Sequence, residues 1–359
     1  MGDKLTDRPN DYTFGKRKLR WPWIAGGIVL ALVLIGAGSY VVFRGNNPAT
    51  QDQVNTNSAQ ASETLARRLD GVTSPASAAN LNPYAVIVEN HSSVRPQSGL
   101  SKAGVVYEAL AEGGITRFLA VFATPGTFQI GPVRSARPYF VQLAREYGGL
   151  FVHAGTSPQA KTEIQKSGIV DFDQFSKPYN FIRLKNTGRP LEHTLFTDLR
   201  LLELGRASLK IKPTGDYEGW IFKADAPAAT PSLKPITIDY STPSYKVTYT
   251  YDAKTNAYLR SQAGAPALDK DGGARIAPKN VTILFTTSTL FDALRRNIKV
   301  VGDGKLVLFQ DGQVLVGTWK KEGTASRLQL LDSAGSPFKL NRGQTWVQVV
   351  DVPEKNVSY

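Results

Sequence analysis

The chain has 359 residues, with no cysteine, one methionine and three histidines. Without cysteine there is no disulfide, no thiolate metal site and no thiol nucleophile. The absence assigns no compartment, because a cysteine-free chain suits oxidising and reducing surroundings alike. Familiar catalytic signatures are also missing: there is no phosphate-binding P-loop, no dinucleotide-type glycine fingerprint, no H-E-x-x-H and no G-x-S-x-G elbow. Nucleotide hydrolysis, hydride transfer, zincin proteolysis and α/β-hydrolase chemistry are disfavoured accordingly.

What is present begins with a long apolar run, "WPWIAGGIVLALVLIGAGSYVVF", over residues 21–43 without a charge. A helix of that length spans the hydrocarbon core of a bilayer. Trp21, Trp23 and Tyr40 lie near its ends, where aromatic rings favour the interface. Lys16, Arg17, Lys18 and Arg20 precede it and Arg44 follows it. The positive-inside bias then keeps the N-terminus in the cytoplasm and places the rest outside, a single-pass protein of the cell membrane. A cleaved signal peptide is the competing reading, but the run is long for one and carries no convincing cleavage site.

The net charge of +13 is spread along the chain, not gathered in a block. Outside a membrane, such basicity suits anionic headgroups or phosphate-bearing polymers; for most single lysines a solvated surface accounts for it. Nucleic acid is disfavoured by the expected location.

The organisation expected is a cytoplasmic tail (1–20), a transmembrane helix (21–43) and a flexible linker (44–80) rich in Asn, Gln, Ser, Thr and Ala. A short helix is expected to interrupt that linker at "SETLARRLDG", Ser62 to Gly71, with Ser62 as N-cap. Residues 81–222 read as an α/β domain. "YAVIVEN", "AGVVYEAL", "TRFLAVFA" and "GLFVHAG" are buried strands, and "SPQAKTEIQKSG" is a helix with Ser157 as N-cap and Gly168 as stop. Alternation of strands with helices predicts a helix–sheet–helix sandwich. A Pro/Ala linker (223–235) leads to a mostly antiparallel β domain (236–352). There "VLFQDGQVLVGTW" predicts a hairpin turning at Asp311-Gly312.

Polar groups concentrate at strand ends in the α/β domain, where open sheets build their sites. Glu89, His91 and Arg95 follow the first strand; Glu108 and Glu112 flank the end of the second; Arg117 opens the third; His153 ends the fourth; His193 lies in "RPLEHTLF". Glu89, His91, Glu108 and His153 are the candidate catalytic groups, with Glu112 and His193 beside them. The glutamates serve either as bases or Mg²⁺ ligands, or as counter-ions to the arginines. Three histidines without an acidic partner at ligand spacing predict no metal site. No motif names a cofactor.

"IGPVRSARPYF" places Arg134 and Arg137 three apart at an expected helix start, with Ser135 as N-cap and Pro138 in the first turn. Guanidinium groups beside a helix N-terminus repel its partial positive charge unless an anion arrives. Arg95, Arg117, Arg134 and Arg137 are therefore the candidate anion-binding residues, the anion being an external phosphate-type group or a neighbouring glutamate.

Three stretches carry a family resemblance: "AVIVENHSSVRPQSGLSKAGVVYEALAEGGITRFLAVF", "IGPVRSARPYFVQLAREYGGLFVHAGTSP", and "GTWKK" followed later by "GQTWVQVV". Together they resemble the YerB-like lipoproteins of bacteria, envelope proteins of two domains of unknown function. The resemblance runs from about 82 to 350 and implies an extracytoplasmic protein with no established activity. Here a transmembrane run stands where those relatives carry a lipidated cysteine. The order of elements in the α/β domain is also similar to that of the LytR-CpsA-Psr phosphotransferases, which hold a polyprenyl pyrophosphate with arginines. The arginine motif differs and the acidic positions do not align, so this is analogy of fold, which carries no function. The leading expectation is a membrane-anchored envelope protein whose α/β domain binds a phosphate-bearing lipid or wall intermediate. The alternative is a non-enzymatic scaffold or glycan-binding protein with its arginines paired internally.

Overall fold

Ten strands from both halves of the chain form one sheet, and its order explains where the polar groups meet. The computed structural model describes residues 63–359 except 186, 293 and 294. The expected cytoplasmic tail, the membrane helix at 21–43 and the linker up to residue 62 lie outside the described residues. Among the described residues no helix is long and apolar enough to cross a membrane. The described residues fall within one compact unit.

In chain order the strands of the large sheet are β1 (Tyr84–Glu89), β2 (Val105–Leu110), β3 (Thr116–Phe122), β4 (Leu150–His153) and β5 (Val170–Asp173). The later half supplies β6 (Asn280–Phe285), β7 (Gly302–Gln310), β8 (Gln313–Lys321), β9 (Gln329–Leu331) and β10 (Thr345–Val350). Across the sheet they run β9-β8-β7-β6-β10-β2-β3-β1-β4-β5. The late strand β10 lies between β6 and β2 and is parallel to both. Strands β1, β2, β3 and β10 are buried along their whole length. That is why they read as near-continuous apolar runs without alternation. Most of the rest of the sheet is antiparallel, with β1–β4 and β4–β5 parallel.

The expectation of a helix–sheet–helix sandwich is corrected to a mostly β protein with a large sheet and few helices. Three α-helices are present among the described residues: α1 (Pro138–Ala144), α2 (Pro158–Ser167) and α3 (Leu199–Ser208). Short 3₁₀ turns and loops make most of the remaining connections. The large sheet draws strands from both sides of residues 223–235. That segment is itself held by hydrogen bonds: Ala228 N donates to Asp311 O, and Ser232 N to Gly312 O.

Local chemistry explains the elements. Ser157 caps α2 through Ala160 N, Pro158 takes its first position, and Gly168 ends it in the left-handed region. Asp198 caps α3 in the same way through Leu201 N. Asp311 and Gly312 have φ of 56° and 73° between β7 and β8, the primed two-residue turn that matches strand twist. Two local expectations are overturned. The expected helix at 62–71 gives way to a strand, Thr64–Ala66, paired with Thr73–Pro75, because Asp70 binds Arg67 and Val72 N and closes a turn between them. The cap of α1 is Arg137, with no side-chain cap; Ser135 Oγ instead donates to Ala154 O.

A second, five-stranded sheet comprises Ala265–Pro266, Ala257–Gln262, Lys246–Asp252, Ile236–Asp239 and Val357–Ser358, in that spatial order. Tyr240 and Tyr249, at the end of one of its strands and within another, both hydrogen-bond Gln348 of β10 and so tie the two sheets together.

Candidate functional site

The stretch Ile130–Arg137 crosses the ends of β1 and β4 as a pinned segment. Glu89 N donates to Pro132 O, Arg134 N to Ile87 O, and Ala154 N to Arg134 O. These bonds aim Arg134 and Arg137 toward two different carboxylates.

Arg134 reaches Glu89, with Nε 3.2 Å from Oε1. The contact is an ion pair without hydrogen-bond alignment, and this buried Nε has no hydrogen-bond partner. The other oxygen of Glu89 lies 2.8 Å from His193 Nδ1, and the His193 ring stacks on His91 at 5.1 Å. Glu89, His91, Arg134 and His193, separated by up to 104 residues in sequence, thus converge. His91 is itself engaged locally, its Nδ1 2.8 Å from Ser93 Oγ.

Arg137 and Arg117 share Glu112, each placing Nη2 2.6 Å from one of its oxygens. Arg117 also donates to Ser135 O, and Arg137 to Ala136 O. Burial by itself would raise the Glu112 carboxyl, but Arg117 and Arg137 outweigh it and hold the group below its ordinary value. Burial, and repulsion from Arg117, push the Arg137 guanidinium down. The counter-charge beside the start of α1 is Glu112.

Glu108 and Arg95 lie elsewhere. Glu108 is fully buried and accepts from Arg260 Nη2 at 2.9 Å, from Thr116 at 2.8 Å and from Asn90 at 3.3 Å. Asn90 accepts from Arg95 Nε, while Arg95 Nη1 donates to Ser244 O and the guanidinium lies over Tyr245. Arg95 therefore ends on neutral acceptors and an aromatic face, away from the other three candidate arginines. His153 is also separate. It is wholly buried, with Nε2 2.7 Å from Asp171 and Nδ1 2.9 Å from Gly155 O. Both ring nitrogens face acceptors, which makes it a brace between β4 and β5. Among the described residues no group of three His, Asp or Glu side chains is placed to hold a metal ion.

Two buried charge clusters escaped the sequence reading. Glu146 receives Lys321, Arg327 and Leu328 N, with Arg327 also lying over Trp220. Arg260 lies over Trp346. A signal for Arg260 was present: in "AYLRSQ" the alternation puts Tyr258, Arg260 and Gln262 on one face, and all three are buried.

Comparison with known proteins adds the family context. Models of the N-terminal and C-terminal domains of DUF3048, a protein of unknown function, match residues 69–212 and 236–347. A Bacillus subtilis (strain 168) protein named "Putative lipoprotein YerB" is 35% identical over 284 residues, covering 75% of this chain and 81% of the relative. The crystal structure of the YerB protein from Bacillus subtilis superposes with a TM-score of 0.73 at 32% identity, covering 82% of this chain and 99% of that one.

Proposed function

The chain belongs to the YerB-like DUF3048 family, and from that premise we propose that it is a membrane-tethered, extracytoplasmic binding protein of the bacterial envelope. The relative's name speaks of a lipoprotein. This chain has no cysteine to carry a lipid, so the tether is assigned to the apolar run 21–43, with the N-terminus inside and the folded part outside. The observation that carries the reading of the rim is Glu112, which engages Arg117 and Arg137 together. Internal pairing of this kind gives the rim a scaffolding role, its arginines holding loops in place, and leaves ligand binding to another part of the fold. Fractionation of cells expressing the full chain tests the tether: it should remain with membranes after a carbonate wash, and protease added to intact spheroplasts should digest the folded part. Recovery in the soluble cytoplasm would overturn the proposal.

A second reading keeps a phosphate-bearing lipid or wall intermediate at the rim. It is favoured by exposed Phe175, Tyr179 and Leu191, which share the segment before His193 with Lys177, Arg183 and Arg189. Apolar and basic side chains together suit an anionic lipid surface. Binding of the full chain to phosphatidylglycerol vesicles, lost on Arg134→Gln with Arg137→Gln in a folded protein, would favour this reading over the scaffold.

A further inference from the structure

Arg260, buried under Glu108, also lines a cavity of about 240 Å³ between the loop Arg95–Leu100 and the stretch Arg260–Ile276. Its lining combines Arg95, Gln97 and Arg260 with the apolar groups Leu100, Ile276 and Trp346. The wall is fixed from both halves of the chain: Asp269 accepts from Gly99 N at 2.9 Å and from Ser101 N at 2.7 Å. The cavity is therefore shaped before any ligand arrives. Its volume lies just below the roughly 300–1,000 Å³ of drug-sized sites, which sets the scale of an occupant.

The charges around it do not balance. Glu108 is the carboxylate bound to Arg260. The hydrogen bonds of Arg260 to Glu108 and Gln262 leave from Nη2, and its buried Nε has no partner. Arg95 donates to the oxygens of Asn90 and Ser244, which are neutral. Arg275 bonds Ser261 through Nη2, and its buried Nη1 has no partner. Burial pushes Arg95 and Arg275 below the ordinary guanidinium range; at Arg95 the attraction of Tyr245 and Glu108 offsets only part of that fall, and at Arg275 repulsion from Arg260 adds to it. Two guanidinium groups, Arg95 and Arg260, thus line the cavity beside an apolar wall, Arg260 bonded to Glu108 and Arg95 to neutral oxygens. A charge partly withdrawn from water gains from a paired counter-charge, and Arg95 is bonded to no carboxylate, which leaves room for an anion beside it.

We propose that this cavity binds a small organic anion, with an oxyanion headgroup between Arg95 and Arg260 and an apolar body against Leu100, Ile276 and Trp346. Carboxylate and phosphate monoester headgroups share the required chemistry, since guanidinium bonds the oxygens of either. The apolar walls reject an inorganic ion as the full ligand, because it would leave them wet. The inference deepens the binding-protein reading. Its test is independent of membrane fractionation, so either can fail alone.

The full-length chain in detergent is titrated calorimetrically with 3-phenylpropionate, phenyl phosphate and the neutral 3-phenylpropanol. At least one anion should bind saturably with Kd at or below about 1 mM, and the alcohol should bind at least about tenfold more weakly. The stronger of the two anions identifies the headgroup class. Arg95→Gln should weaken that anion about tenfold or more while the protein still melts cooperatively. Ile276→Trp, which fills the cavity, should abolish binding in a protein that folds. A folded wild type that binds neither anion overturns the proposal. So does equal affinity for acid and alcohol, or unchanged affinity in Arg95→Gln.

Discussion

Arg260 lies 4.7 Å above the centroid of the Trp346 ring while its Nη2 holds Glu108 at 2.9 Å. The pair is buried on both sides, so removing either partner strands a charge in a low-dielectric interior. Arg260→Met or Glu108→Gln alone should lower stability by about 3–5 kcal/mol, and the double variant should recover part of that loss. Urea unfolding of the four proteins gives the cycle. Additive losses would mean that the two residues do not act as a pair.

Acid sensitivity follows from Glu112. Its carboxyl is held below the ordinary 4.5 in the folded chain, so its contribution is complete above that value and is lost as pH falls through the lower folded value. Glu146 is depressed in the same direction, where Arg327 and Lys321 outweigh burial. Melting temperature followed from pH 7 to pH 3 should therefore fall on the acid side, and Glu112→Gln should flatten part of that fall. A variant as steep as the parent would show that Arg117 and Arg137 do not depend on Glu112.

His153 is expected to matter to stability and not to binding. His153→Phe removes the bonds to Asp171 and Gly155 O, a loss of about 1–2 kcal/mol. Hydrogen exchange should rise across β5 and the turn after it, while 3-phenylpropionate titration is unchanged. A binding defect with normal stability would return His153 to the list of functional groups.

Gly149 precedes β4 where no side chain fits. A Cβ there would stand 1.9 Å from Pro83 O, the oxygen that accepts Leu150 N as β4 joins β1. Gly149→Ala should cost at least about 2 kcal/mol and loosen that pairing, visible as a lower melting temperature and faster exchange at Leu150. Parental stability would show that the backbone yields there without cost.

Strands with strong local signals were legible: Tyr84–Glu89, Val105–Leu110 and Thr345–Val350 are short apolar runs, and the Asp311-Gly312 turn is set by its two residues. The helix with Ser157 and Gly168 at its ends was legible for the same reason. What could not be read is which strands become neighbours. No local pattern says that Thr345 pairs beside Val105, and from that pairing come the shared sheet and the low helix content. The candidate site was legible as a set of residue types but not as a set of partners. Glu89 and His193 meet across 104 positions. Glu108, which looked like a partner for the rim arginines, belongs to Arg260. The rim stands out in the sequence because its residues are polar and lie at strand ends and in loops. The cavity escaped because Arg260 lies inside an ordinary-looking strand.

The position of β10 sets a schedule for biogenesis. During synthesis, β2 emerges long before Thr345–Val350, the strand that covers its open side. Until then the fully buried β2 offers an unpaired edge to any neighbouring chain, the exposure that invites intermolecular pairing. The sheet can close only when β6 and β10 have both arrived. The earlier half stays unfinished until then, and a chain cut before residue 345 would present β2 and β6 as open edges, which β10 pairs in the whole protein.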